Sequence, residues 1–193
     1  MTTIRRAKKE ESRIIASFLL LAMEDIVYRF IGETSAEKAL RLLESLAGEP
    51  NNQYSFENCW VVASDGKVIA AAIVYDGSRL SELREPVAAK IASMFNRDFH
   101  PEDETRAGEF YIDCAAVHPD HQGKGTGTEL FRFLIHEYVH KQNKTLGLLV
   151  DKDNPDARKL YLKLGFEVAG EKTLAGKKME HLQFKNRPSG CQW

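Results

Sequence analysis

Three glycines at alternate positions, Gly123, Gly125 and Gly127, fall in the run Gln122-Gly123-Lys124-Gly125-Thr126-Gly127. Upstream, Phe110 to Val117 is apolar and partly β-branched or aromatic, the pattern of a buried strand. Downstream, Leu130, Phe131, Leu134, Ile135 and Tyr138 recur at helical spacing. The glycines therefore stand where a helix begins and its first N–H groups lack internal partners. Without Cβ atoms those groups can approach a ligand closely. The helix dipole favours a phosphate there, and Lys124 adds positive charge. The plainer reading is a turn that only joins strand to helix, but three alternating glycines exceed what such a joint needs.

Two nucleotide loops fit poorly. A Walker-type loop needs Gly, four residues and then Gly-Lys-Ser/Thr, and no such run exists. A dinucleotide fingerprint needs Gly-x-Gly-x-x-Gly directly after the strand. Here the third glycine comes one position early, after a Pro-containing turn. Asp151 stands near the distance expected of a ribose-binding acid, so an NAD(P)-binding oxidoreductase is an alternative of a different class.

Gln122 to Gly127 resembles the Gln/Arg-x-x-Gly-x-Gly/Ala signature of the GNAT superfamily of N-acetyltransferases, and Ala116-Val117-His118-Pro119 is similar to its usual approach. Asn154-Pro155-Asp156-Ala157-Arg158-Lys159-Leu160-Tyr161-Leu162-Lys163-Leu164-Gly165-Phe166 resembles the family's second segment, Asn-x-x-Ala-x-x-Leu-Tyr-x-x-x-Gly-Phe, at every named position. The resemblance implies acetyl-CoA as co-substrate. Gln122, Gly123, Lys124, Gly125, Thr126 and Gly127 would hold its pyrophosphate, the backbone of Ala115, Ala116 and Val117 its pantetheine amides, and Asn154 its pantetheine arm. It also implies a mixed, mostly antiparallel sheet, with a central parallel strand pair joined by a crossover helix and flanked by helices, in a single α/β domain.

Moving acetyl from a thioester to an amine needs a neutral amine, a stabilised oxyanion and a proton for the departing thiolate. The resemblance gives that last proton to Tyr161. Its apolar neighbours also suit a core tyrosine. An alkyl ammonium has a pKa near ~10, so something must take its proton. Some relatives use an acid on the strand before the second segment, but Leu148-Leu149-Val150 offers none. Strand alternation places Glu109, Tyr111, Asp113, Ala115 and Val117 on one face, which makes Asp113 the candidate base. The competing role for Asp113 is structural. His118, His121 and His181 are weaker candidates, and no metal site is expected.

These residues need a scaffold. Thr2 to Arg6 reads as a strand and Ile14 to Ile26 as an amphipathic helix. A second helix, capped by Thr34 or Ser35, ends at Gly48-Glu49-Pro50. Asn51 to Glu57 reads as polar loop. Cys59 to Ala63 and Val68 to Tyr75 form a hairpin around Asp65-Gly66. Ser81 to Asn96 reads as a helical insertion and 97–108 as an exposed, mobile loop. The Leu-rich run Thr145 to Val150 suits a strand parallel to the central one. Asn154 caps the last helix, with Pro155 at its first position and Gly165 at its end. Phe166 to Ala169 and Met179 to Phe184 read as two final strands around 170–178. The domain is expected over residues 1–186, with 187–193 a frayed tail.

With 193 residues, 43% hydrophobic and 28% charged, the chain suits one globular domain, and a formal net charge of −1 argues against bulk attraction to nucleic acid or membrane. Cys59, Cys114 and Cys191 are odd in number and widely spaced, as in reduced cytoplasmic proteins. The expected function is acetyl-CoA-dependent N-acetyl transfer to a primary amine, directly within a ternary complex. A non-catalytic acyl-CoA-binding domain of the same fold is the alternative. Expected partners are a small-molecule or peptide amine acceptor, with no nucleic acid and no membrane. A homodimer is compatible with the sequence.

Overall fold

A computed structural model describes residues 2–186; the expected tail, 187–193, lies outside the described residues. Seven strands form one sheet: β1 (Thr2–Arg6), β2 (Cys59–Ser64), β3 (Lys67–Asp76), β4 (Phe110–Val117), β5 (Leu146–Asp151), β6 (Glu167–Leu174) and β7 (Lys177–Phe184). Their order is β1-β2-β3-β4-β5-β7-β6, and every neighbouring pair is antiparallel except β4–β5. The expected sheet type is therefore observed, and the strands run close to their predicted positions. The last hairpin is longer than expected, because the tight turn is Ala175-Gly176, both at positive φ, rather than a loop over 170–178.

Helices cover both faces. On one lie α1 (Ser12–Ile31), α2 (Ala36–Ala47) and α3 (Leu80–Phe95), on the other α4 (Thr126–Leu134) and α5 (Pro155–Leu164). Helix α1 buries Ile15, Phe18, Leu19, Met23, Val27 and Ile31, which three- and four-residue steps bring to one side. It runs five residues beyond the predicted Ile26 and kinks at Met23, where φ is −142°. Ser35 caps α2 by accepting the Lys38 N–H. After α4 the chain continues through a π-helical turn over Ile135–His140, carrying Tyr138 and Val139 into the core.

Two segments read as loops are packed inside. Asn52 donates to the Leu46 and Glu49 carbonyls and accepts the Tyr54 N–H, so this buried amide is fully bonded. The 97–108 segment is not simply exposed, because Phe99, Glu104 and Thr105 are buried. It ends against Glu109, which accepts from Thr105 at 2.8 Å and Gln183 at 2.6 Å and contacts His181 Nε2 at 2.9 Å. Those bonds outweigh burial and lower the Glu109 pKa.

Candidate active site

Strands β4 and β5 pair over only three positions, Phe110–Ile112 with Leu146–Leu148. Beyond that, β4 stays with β3 and β5 stays with β7, so the sheet splits between its parallel strands. A cleft of about 520 Å³ opens at the split. Asp113, Cys114 and Ala115 line it from β4, Asn154 and Tyr161 from the α5 side, and Glu24 and Asp25 from the α1 kink. Among the described residues, the edge of β4 from Cys114 to Val117 has no strand partner on the β5 side, which leaves its extended backbone open to a ligand except at the Val117 carbonyl, which accepts from Gln122.

The glycine run lies just beyond β4. Gly123 and Gly125 have φ of +70° and +87°, in the left-handed region where a side chain is strained, and an added Cβ at either would meet nothing within 4 Å. At Gly127 an added Cβ would touch only Val117 Cγ2, at 3.5 Å. Helix α4 starts at Thr126 with Gly125 as an N-cap that offers no side-chain bond, so its first N–H groups are open to an anion. Gln122 folds back to donate to the Val117 carbonyl at 3.0 Å, which ties the loop to the strand. Lys124 is exposed beside it. These residues fit a pyrophosphate, and the exposed edge of β4 fits an amide-bearing chain running from it.

Asn154 caps α5 by accepting the Ala157 N–H at 3.1 Å, with Pro155 at the first position as predicted. Tyr161 is half-buried, with its ring 4.9 Å from that of Phe131. Burial, then the nearby Cys114, pushes its hydroxyl up to about 12. It therefore holds its proton throughout the neutral range.

Asp113 requires a correction. The β3–β4 register slips so that Ile73 pairs with Cys114 but Val74 with Ile112, leaving Asp113 as the extra residue of a β-bulge. Simple alternation fails there. Cys114 and Ala116 pack with Tyr111 on the α1 side, whereas Ala115 and Val117 pack with Phe110 and Ile112 on the α4 side. Asp113 turns to the α1 side, away from Ala115 and Val117, and its Oδ2 accepts from the Tyr75 hydroxyl at 2.9 Å and Gln53 Nε2 at 3.3 Å. It still reaches the cleft, because the bulge sits where the sheet splits.

Strand alternation did not show Asp113's partners. Glu104 Oε1 accepts from Gln53 at 2.7 Å and from Tyr75 at 3.1 Å, and Glu104 Oε2 pairs with Arg84. Two carboxylates thus share one hydroxyl and one amide. Burial, and then repulsion from Glu104, raises the Asp113 carboxyl to about 7 against the bonds from Tyr75 and Gln53 and the charge of Arg84. No local pattern links Gln53, Glu104 and Asp113, and two of the three lie in segments that read as surface loop. The histidines stay outside this cluster: His118 and His121 sit by the glycine run, and His181 binds Glu109.

Residues 20–166 match the profile of the Acetyltransferase (GNAT) family. The chain belongs to the GNAT acetyltransferase family. An acetyltransferase of solved structure is 31% identical, with a TM-score of 0.78 over 95% of this chain and 98% of that one. An N-acetyltransferase from Staphylococcus aureus is 21% identical, with a TM-score of 0.84 over 94% of this chain and all of that one, a likeness of fold. No curated protein matches the sequence. Among the described residues no group of side chains is placed to hold a metal ion, and no helix is long and apolar enough to cross a membrane.

Proposed function

We propose that this GNAT protein transfers acetyl from acetyl-CoA to a primary amine, directly within a ternary complex. The observation that carries this reading is the coincidence of three features at the split of the sheet. An anion cradle leads onto an unpaired strand edge, a protonated tyrosine lines one wall, and a carboxylate titrating near neutrality lines another.

Gly123 to Gly127 would bind the pyrophosphate, the free edge of Ala115 to Val117 the pantetheine amides, and Asn154 the same arm beside its cap. The acceptor amine arrives as an ammonium with a pKa near ~10. Full proton transfer to a carboxyl titrating near 7 is uphill by about three units, or ~4 kcal/mol. An ammonium has no lone pair, so Asp113 takes its first proton before attack, at that cost, and passes it to solvent. The nitrogen becomes acidic as its bond to the acyl carbon forms, and its second proton then leaves to Asp113. N–H donors on the strand edge stabilise the oxyanion. As the carbon–sulfur bond breaks, Tyr161 donates its proton to sulfur and regains one from solvent. One amide and one free thiol result.

The test is CoA release over a panel of amines, with the acetylated product identified by mass. An acyl-CoA-binding domain without catalysis would bind CoA and release none above the buffer rate with every amine.

A further inference from the structure

Next to the cleft, on the α1 side of Asp113, lies a small chamber of about 40 Å³. Cleft and chamber share Met23, Ile26, Tyr111, Asp113 and Leu174. A third depression, about 310 Å³ and open to solvent, lies between α1, the 97–108 segment and the β6–β7 turn. It shares Phe30, Phe99 and Pro101 with the chamber. The chamber therefore adjoins the cleft at Asp113 on one side and the outer depression on the other, at the Phe30–Phe99 pair, whose rings meet edge to face at 4.6 Å.

The chamber is polar where Gln53, Glu104 and Asp113 converge beside Tyr54 and Tyr111, and apolar along Met23, Ile26, Phe30 and Leu174. Gln53 is 2% exposed, and its Oε1 is buried without a hydrogen-bond partner among the described residues. Flipping the amide would not relieve this, because the oxygen would then face the two carboxylates that its nitrogen now serves. A buried acceptor without a donor is costly. Both bonds to Asp113 fall on Oδ2, so its Oδ1 also makes no hydrogen bond among the described residues. Two acceptors without donors, on residues that line the chamber beside the Glu104 carboxylate, call for a cationic group with several N–H donors.

We propose that the chamber receives the acceptor as an unbranched primary aminoalkyl chain, with its ammonium held between Asp113 Oδ1 and Gln53 Oε1. At about 10–15 Å³ per water-sized group, the chamber holds roughly three such groups, the size of an ammonium and its first methylenes. A carbon branched next to nitrogen, as in a peptide α-amine or an amine on a sugar ring, overfills a chamber of that size. The class is thus a lysine side chain or a linear diamine. This assignment rests on the transfer reading for what happens to the amine, but not for its binding.

The experiment measures amine binding to the CoA-saturated protein by calorimetry, and acetylation in parallel. The probes are 1-aminopentane and 1,5-diaminopentane, Nα-acetyl-lysine methylamide as the peptide-side-chain arm, and 2-aminopentane and cyclopentylamine as branched controls. The linear probes are expected to bind roughly 10–100-fold more tightly than the branched ones. The lysine derivative and the diamine separate the two sources. Phe99→Ala widens the chamber and should close most of that gap; Leu174→Ala, which also lines it, serves if the first variant does not fold. Linear amines that bind selectively but are never acetylated leave the chamber standing and remove the transfer reading. Branched amines bound or acetylated as well as linear ones, no binding by any amine, or a selectivity unchanged in the folded wall variant, each overturn the chamber.

Discussion

Replacing Asp113 by asparagine should stabilise the protein while disabling it. The buried carboxyl titrates at about 7 instead of the ordinary 3.8, so the folded state resists its ionisation. Below about pH 4 the group is protonated in both states and costs nothing. Between about pH 4 and 7 only the folded state keeps the proton, so this group's contribution to stability falls as pH rises. Above about pH 7 the full cost of a buried charge beside Glu104 is present. A rise of about three units corresponds to ~4 kcal/mol as an upper bound. Asparagine keeps an acceptor for Tyr75 and Gln53, whose bonds reach a single oxygen, but packs an amide where Oδ1 stood. Contact with the cleft lowers the cost further, and a gain of about 1–3 kcal/mol remains, or roughly 3–10 °C in Tm for a chain of this size. Melting curves from pH 4 to pH 9 should show the variant pulling ahead of wild type through the acid range and holding a constant lead above pH 7. Turnover should fall roughly 10²–10⁴-fold, with the limb near pH 7 gone and CoA binding intact. The acid that titrates near 7 must face Glu104, Arg84, Tyr75, Tyr54, Tyr111 and Cys114 from the surrounding elements, and these stay in place in the variant. Equal melting at pH 8 would refute the buried-charge argument. A stabilised variant with the wild-type rate and limb would leave Asp113 a structural acid.

Other perturbations separate the remaining parts of the site. Tyr161→Phe keeps the ring contact with Phe131 and should change Tm little, while single-turnover acetyl transfer slows roughly 10²–10⁴-fold at unchanged CoA affinity. Gly125→Val puts a side chain into open space at φ +87°, and calorimetry should show CoA binding lost; Gly66→Val, at φ +79° in the β2–β3 turn, carries comparable backbone strain and should leave CoA binding unchanged. Gly147→Ala would place Cβ 2.0 Å from Glu109 Oε2, so it should cost about 1–3 kcal/mol in chemical denaturation without touching the cleft.

Most of the scaffold was legible because its signals are local. Alternating glycines after an apolar run, Asn-Pro before a helical stripe, Asp-Gly between two strands and Ser35 before α2 each act through neighbours within four residues. The structure keeps all of them. Tyr161 reaches the cleft for the same reason, since a short helix capped at Asn154 sets its direction. The bulge at Asp113 was not legible, because nothing in Tyr111-Ile112-Asp113-Cys114 marks it. It exists through the pairing of β4 with β3, a partner some forty residues away.

The sequence by itself determined the family, the order of the elements, the glycine run that opens α4 and the two segments that flank the cleft. The tertiary structure alone decided the environment of the carboxylate. Gln53 reaches Asp113 because α3 accepts its backbone N–H at the Leu83 carbonyl, and Glu104 reaches it because Arg84 and the Glu109 cluster draw the 97–108 segment inward. Those residues are polar and lie in stretches without periodicity, so hydropathy assigns them to the surface. Burial of a polar group becomes favourable only when its partners are already in place, and partners 51 and 60 positions from Gln53 leave no trace in a local pattern.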